Sequence, residues 1–204
     1  MWLGWTDFLA VSHPSNPSVK THLVAAALTA FAALPLAAQS TLKSAPSTRA
    51  TTEAILSPPR AEGQPAPASF KVKIDYGQPH ARGRVVNGAL KADLDTVWRL
   101  GANNPTLLTT EADLVIGGAT VPKGTYALYA RTSSSGPWTL IISRNVGESY
   151  APGQDLASVP LTSKTLAAPF ESLFMALVPA GDNPRGDLRI VWGTREFTTT
   201  WAAK

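Results

Sequence analysis

The stretch FKVKIDY, residues Phe70–Tyr76, alternates apolar and charged side chains without interruption. Successive side chains of a β-strand point to opposite faces, so a strand here separates the two kinds of residue. The two faces would carry Phe70, Val72, Ile74 and Tyr76 on one side and Lys71, Lys73 and Asp75 on the other. This pattern predicts a strand with one buried face, typical of antiparallel sheets that pack against a second layer.

More short strands are predicted towards the C-terminus, separated by Gly and Pro at intervals of about ten residues. They are TYALYAR, PWTLIISR, ESLFMALV, LRIVW and EFTTTW. Asn87-Gly88 and Gly117-Gly118 each predict a tight hairpin, because these residues tolerate positive φ. The segment KTLAAPFESLFMALV, residues 164–178, has some helical character, but Pro169 lies inside it and predicted strands flank it, so we expect a strand.

The chain has 204 residues, with 17 prolines and 15 glycines, and no amphipathic helix is evident. The sequence therefore predicts an all-β protein, an antiparallel β-sandwich or flattened barrel of about nine or ten strands with little helix. We expect residues 55–204 to form this single domain. Residues 39–54, QSTLKSAPSTRATTEA, are small and polar and are predicted to be a disordered spacer.

The N-terminal part, residues 1–38, is interpreted as an extension followed by a secretory signal peptide. The apolar run Leu23–Ala38 follows Lys20 and ends in small residues, which predicts cleavage after Ala38. A membrane anchor is the alternative, but the run is shorter than the ~20 residues of a span and contains Pro35. Translation starts at Met1 or at Val19; the sequence leaves both open.

We therefore expect an exported protein, periplasmic or extracellular, with no stable membrane insertion after cleavage. The chain has no cysteine, which excludes a lipid-anchored lipoprotein, disulfides and a cysteine nucleophile. His80 is the only histidine after residue 38, so a multi-histidine metal site is excluded from the mature chain and no metal site is predicted. No phosphate-binding loop or dinucleotide fingerprint is present, so no cofactor is predicted. The net charge of +4 is spread along the chain, so no nucleic-acid partner is expected.

Polar side chains concentrate in DYGQPHARGR, residues 75–84, and in VWRLGANN, residues 97–104. The guanidinium fork of arginine suits carboxylates, phosphates and sugar hydroxyls, so these stretches are candidates for an anion or glycan pocket. The candidate binding residues are Tyr76, His80, Arg82, Arg84, Arg99 and Asn103, together with Tyr126. The structural alternative pairs Arg99 with Asp75 or Asp95 inside the fold and uses Asn103 to close a loop.

Three ordered motifs resemble the secreted bacterial family catalogued as domain of unknown function 2911. They are IDYGQPHARGR, VWRLGAN and IGGATVPKGTYALYA, and the similarity covers about residues 55–204. The resemblance implies an exported β-sandwich-like domain and no established activity. Gln78 stands where the family commonly has arginine. Asn104-Pro105 replace an acidic residue and alanine, so the resemblance implies no catalytic acid at that place in this chain.

The sequence is compatible with three functions. The first is a non-catalytic exported domain that binds a small anionic or carbohydrate ligand or an envelope partner. The second is a hydrolase or lyase acting on envelope or extracellular glycans, with His80 or Asp75 as the acid–base group. The third is a purely structural role in envelope assembly. Catalytic residues, the ligand, the partner and the oligomeric state are not specified by the sequence.

Overall fold

A computed structural model describes residues 42–204 of the chain, and Lys43–Lys204 form one compact unit. The predicted extension and signal peptide lie outside the described residues. In the described part of the chain no helix is both long and apolar enough to cross a membrane.

The described residues form ten strands and one short 3-10 helix, Lys91–Asp93. The strands are β1 (Ser47–Leu56), β2 (Phe70–Pro79), β3 (Val97–Trp98), β4 (Thr106–Thr110), β5 (Leu114–Ile116), β6 (Ala119–Val121), β7 (Gly124–Arg131), β8 (Trp138–Ser143), β9 (Asp155–Pro179) and β10 (Arg185–Ala203). All their pairings are antiparallel, in the order β1-β2-β4-β7-β8-β9-β10-β5-β6, with β3 added beside β7. The sheet is not closed into a barrel. The all-β prediction and the number of strands are confirmed.

The long strand β9 connects the two halves of the sheet. Its first part, Asp155–Leu161, pairs with β8, and its last part, Phe170–Pro179, pairs with β10. This confirms the strand predicted for residues 164–178. Pro169 lies beside the irregularity in the β9–β10 register at Gly193, a place where a missing backbone N–H is tolerated.

One apolar core is formed by residues from both halves of the sheet. The inward residues Val72 and Ile74 of β2 are fully buried, as their alternation predicts. Phe70, the first residue of β2, is 41% exposed, so the buried face of this strand begins at Val72. A smaller cluster of Ala127, Tyr129 and Ile141 lies on the outer face of β7 and β8.

The prediction of a disordered spacer is wrong for residues 47–54, which belong to β1. This strand pairs with β2 along its whole length, from Ser47 opposite Pro79 to Leu56 opposite Phe70. Its buried or half-buried residues include Ala50, Thr52 and Ala54, which are small or polar. The alternation therefore has almost no hydrophobic contrast, and the strand is held mainly by its backbone pairing and by contacts such as the Arg49–Asp75 ion pair.

One of the two predicted hairpins is confirmed and the other is wrong. Gly117-Gly118 connect β5 and β6. Asn87-Gly88 do not join two strands, because Asn87 forms a bridge with Gly193 of β10 and the Gly88 N–H donates to the carbonyl of Trp192. Long-range pairing with β10 thus replaces the local hairpin.

Side chains of β1 and β2 satisfy the edge of β9 that does not face β10. The hydroxyl of Tyr76 accepts a hydrogen bond from the Met175 N–H at 3.1 Å. The Thr52 hydroxyl accepts one from the Leu177 N–H at 3.2 Å. The Gln78 amide donates to the Leu173 carbonyl at 3.0 Å. These bonds satisfy buried backbone groups that an open sheet edge would leave unpaired.

Gly77 lies against the backbone of the loop that follows β3. A Cβ atom on Gly77 would overlap the carbonyl oxygen of Ala102, and one on Gly101 would lie 2.8 Å from the Gly77 carbonyl oxygen. The Ala102 N–H donates to the Gly77 carbonyl at 3.2 Å. The first two sequence motifs are therefore in direct backbone contact, at a distance that only glycine permits.

We predict that Gly77→Ala lowers the free energy of unfolding by at least about 3 kcal/mol, because two backbone segments have to move apart to admit the methyl group. Gly136→Ala is the control, since Gly136 is exposed and only the Ser133 side chain lies near it. The control should change stability by about 1 kcal/mol or less. Urea denaturation measures both; equal, small effects would contradict the close packing at Gly77.

Candidate functional site

The loop of residues 99–105 is held by three neighbouring strands. The Asn103 side-chain amide donates to the Ser47 hydroxyl of β1 at 2.9 Å. Arg49, also in β1, donates to the carbonyls of Asn104 at 3.3 Å and Pro105 at 2.9 Å. The Thr106 hydroxyl of β4 donates to the Leu100 carbonyl at 2.9 Å, and Gly77 of β2 holds Ala102. The loop therefore has a defined conformation, with Leu100 and Asn103 at positive φ of 54° and 63°.

This loop forms one wall of a cleft of about 440 Å³, which we term the arginine cleft. Arg84, Leu90 and Asp93 line the cleft as well. Trp98 and Trp192 also line it, with ring centroids 5.9 Å apart and planes at 17°. Of the candidate residues, the structure brings Arg84, Arg99 and Asn103 together here.

Backbone carbonyls hold both arginines of the cleft. Arg84 donates from Nε to the Ala81 carbonyl at 2.9 Å and from Nη2 to the His80 carbonyl at 2.6 Å. Arg99 donates from Nη1 to the Asn103 carbonyl at 2.7 Å. These bonds use only part of the N–H donors of each guanidinium. In the described part of the chain, the remaining donors have no side-chain partner.

The proposed pairing of Arg99 with Asp75 or Asp95 is wrong. Arg99 is exposed and follows the last residue of β3, Trp98. Asp75 forms its ion pair with Arg49. Asp95 accepts a hydrogen bond from the Ser134 N–H at 2.9 Å, which holds the pKa of this carboxyl below its ordinary value.

Asp93 is the carboxylate of the arginine cleft. Partial burial raises its pKa above the ordinary value, while the positive charges of Arg99 and Arg84 offset part of that rise. The 3-10 helix and two threonines fix its backbone, since the hydroxyls of Thr132 and Thr96 donate to the Asp93 carbonyl at 2.6 Å and 2.8 Å. The cleft thus holds two cations and one carboxylate that burial disfavours in its charged form.

The other four candidate residues do not line the arginine cleft. Tyr76 is buried beneath β9, where burial raises the pKa of its phenol. The Tyr126 hydroxyl donates to the Pro122 carbonyl at 3.0 Å and holds the turn between β6 and β7. Arg82 is exposed on a turn, with φ of 51°, and its backbone N–H donates to the Glu171 carboxylate. Their contacts give Tyr76 and Tyr126 structural roles.

His80 contacts Ser172, a pairing that the sequence did not predict. Its Nδ1 lies 2.7 Å from the Ser172 hydroxyl, where the end of β2 bridges to β9. A serine nucleophile activated by histidine also needs a third group that orients the ring. Among the described residues, no carboxylate contacts the His80 ring, and neither member of the pair lines the arginine cleft. The contact joins two strands.

Asp93, Trp98 and Trp192 are cleft residues that were not among the candidates. Trp98 precedes Arg99 in the VWRLGAN motif, but an apolar residue at this position is equally typical of a buried strand. Trp192 lies almost a hundred residues further along the chain, and only the pairing of β10 brings it to this place. Over residues 42–204, no group of three or more His, Cys, Asp or Glu residues is arranged to hold a metal ion.

Comparison with known proteins identifies the family. A family model described as "Protein of unknown function (DUF2911)" matches residues 57–200, and the chain therefore belongs to this family. No curated protein and no solved structure matches the chain significantly. The match begins after β1, so Ser47 and Arg49 lie outside it.

We predict that Tyr76→Phe lowers the free energy of unfolding by about 1–3 kcal/mol, because the buried Met175 N–H loses its acceptor. Tyr126→Phe is the matched control, since its acceptor belongs to Pro122, an exposed residue, and it should cost less than about 1 kcal/mol. Chemical denaturation compares the two; equal losses would contradict the edge-closing role of Tyr76.

We predict a pH-dependent difference in stability between the wild type and Asp93→Asn. The pKa of Asp93 is higher in the folded than in the unfolded chain, so the folded state binds the proton more tightly. Lowering the pH through the interval between these two pKa values should therefore stabilise the wild type relative to Asp93→Asn. Denaturation across a pH series measures the difference. A relative loss of wild-type stability on acidification would contradict the burial of this carboxylate.

Proposed function

We propose that this member of the DUF2911 family is an exported, non-catalytic binding protein whose arginine cleft takes a small ligand with a carboxylate or phosphate group. The observation that carries the proposal is the convergence of Arg84 and Arg99 on one cleft, each held by backbone carbonyls and each with N–H donors to spare. Export is supported by the apolar run Leu23–Ala38 before the domain.

The side chains of Arg84 and Arg99 are preorganised to bind an anion. Their carbonyl partners fix the side chains without neutralising their charge, so less conformational entropy is lost when a ligand binds. Charge-assisted and bidentate hydrogen bonds to carboxylate or phosphate are among the stronger polar contacts in proteins. Asp93 interacts electrostatically with the same two arginines but forms no hydrogen bond with either guanidinium, so their free donors stay open to a ligand.

The size and lining of the cleft suit a small organic molecule. Its volume of about 440 Å³ falls in the usual range for such sites, about 300–1,000 Å³. Trp98 and Trp192 close its inner side but are almost fully buried, so the groups it presents are mainly those of the arginines and of the Asn103 loop. An organic acid or an acidic sugar carries the carboxylate and hydroxyl groups that match these donors and acceptors.

A glycan-cleaving activity has less support. Hydrolysis of a glycosidic bond normally uses two carboxylates on either side of the bond. Among the described residues, Asp93 is the only carboxylate that lines the arginine cleft. Asp75 is engaged by Arg49, and His80 contacts Ser172 outside the cleft.

The test is the melting temperature with galacturonate, citrate and inorganic phosphate as separate probes. At a concentration about 100 times Kd, a ligand that binds only the folded state should raise the melting temperature by roughly 5–10 °C. We expect Arg84→Gln and Arg99→Gln to remove the shift, and Arg82→Gln, outside the cleft, to retain it.

Loss of the shift is separable from loss of the fold. Arg99 is exposed and makes one hydrogen bond to a carbonyl of its own loop, so Arg99→Gln should change the free energy of unfolding by about 1 kcal/mol or less. If none of the three probes raises the melting temperature, or if both cleft variants keep the full shift, the proposal is contradicted.

A further inference from the structure

A second cleft of about 420 Å³ lies across the segment 87–94 from the arginine cleft. We term it the serine cleft, because the loop Ser133–Pro137 forms one of its walls. Arg195 and Ser163 also line it, and so do Trp138 and Phe197, whose rings stack with centroids 4.2 Å apart.

The polar groups of the serine cleft are held in place. Asn87 accepts hydrogen bonds from Arg195 Nε at 3.2 Å and from the Thr194 hydroxyl at 3.0 Å. In the serine loop, the Ser133 hydroxyl accepts the Gly136 N–H at 2.8 Å, and the Trp138 indole donates to the Ser133 carbonyl. The loop is therefore organised by its own hydrogen bonds and by the bond from the Ser134 N–H to Asp95.

The polar groups of the serine cleft that have no hydrogen-bond partner suit a polyhydroxylated, acidic ligand. The Nη atoms of Arg195 and the hydroxyls of Ser135 and Ser163 have no hydrogen-bond partner within the described part of the chain. Arginine binds carboxylates and serine hydroxyls both donate and accept, as sugar recognition requires. The arginine cleft has the same combination of cationic and polar groups.

The two clefts share one wall, a single backbone segment. Leu90 and Asp93 face the arginine cleft, whereas Asn87 and Leu94 of the same segment face the serine cleft. The two clefts are also linked by a hydrogen bond, because the Thr132 hydroxyl donates to the Asp93 carbonyl at 2.6 Å. The residue after Thr132, Ser133, lines the serine cleft.

The charge of the two clefts taken together is positive. Arg84, Arg99 and Arg195 line the two clefts, and Lys91 is exposed on the shared segment. The nearby carboxylates are Asp93, in the arginine cleft, and Asp95, which accepts the Ser134 N–H beside the serine cleft. A neutral glycan gains nothing from this excess of positive charge, whereas an acidic one gains at each unit that reaches an arginine.

We propose that the arginine cleft and the serine cleft are neighbouring subsites for one acidic oligosaccharide. One acidic unit of the oligosaccharide binds Arg84 and Arg99, and a further acidic unit binds Arg195. Between them the oligosaccharide crosses the protein segment 87–94 at Lys91. The inference rests on the proposed function and specifies its ligand class.

The test is calorimetric titration with galacturonate and its oligomers of increasing length, at constant ionic strength. We expect affinity to rise by roughly 10-fold or more once the oligomer reaches both clefts, because the second contact becomes intramolecular. Arg195→Gln should remove that gain and leave the affinity for the monomer unchanged. Arg144→Gln, an exposed arginine in neither cleft, is the control and should change neither value.

The outcomes separate this inference from the proposed function. If the monomer binds through Arg99 but neither chain length nor Arg195→Gln matters, the two-subsite inference is overturned and the anion site stands. An equal gain with neutral galactose oligomers, or with inorganic polyphosphates of increasing length, overturns the acidic-sugar assignment. If no galacturonate binds while citrate or phosphate does, the inference also fails. If no anion binds at all, both proposals fail.

Discussion

The contact between Gly77 and the backbone of Gly101-Ala102 determines where the candidate site lies. A strand and a loop approach here to a distance that excludes even a methyl group, and the Ala102 N–H completes the contact with a hydrogen bond. Because the loop is fixed to β2 at its centre, the residues on either side of that point, Arg99 and Asn103, have a defined position relative to the sheet. The cleft is therefore formed before any ligand arrives, which limits the entropic cost of binding.

The first motif combines two roles along a single strand and the turn after it. Tyr76 and Gln78 point to the edge of β9 and join the two halves of the sheet. The chain then turns at Arg82, and Arg84 lies in the arginine cleft. There its guanidinium donates to the carbonyls of His80 and Ala81, which belong to the same turn. Closure of the core and assembly of the site thus depend on neighbouring residues, so substitutions in this motif have to be tested for stability as well as for binding.

The fold was largely predictable where side chains alternate strongly. Val72 and Ile74 lie in the core as their pattern indicates, and Gly117-Gly118 form the expected hairpin. β1 was missed because Ala50 and Ala54 give little hydrophobic contrast. Asn87-Gly88 were misread because their partner, Gly193, is distant in sequence. In each error a long-range backbone pairing overrides the local signal.

The candidate site was predictable only in part, for the same physical reason. The polar motifs pointed to Arg84, Arg99 and Asn103, but their neighbours Asp93 and Trp192 come from other segments that only the tertiary structure brings together. The sequence also does not reveal the ion pair between Asp75 and Arg49, because Arg49 lies in β1, a strand that was not predicted.

Hydrogen exchange at the Ala102 amide tests the central claim most directly. This N–H lies in a loop, but it is bonded to the Gly77 carbonyl in a contact without free space. If the loop is fixed to β2, the Ala102 amide should exchange as slowly as the amides of the β2–β4 ladder, because both open only when the core opens. Exchange at the rate of an unprotected loop amide would show that the loop moves independently of the sheet, and would contradict a preformed cleft.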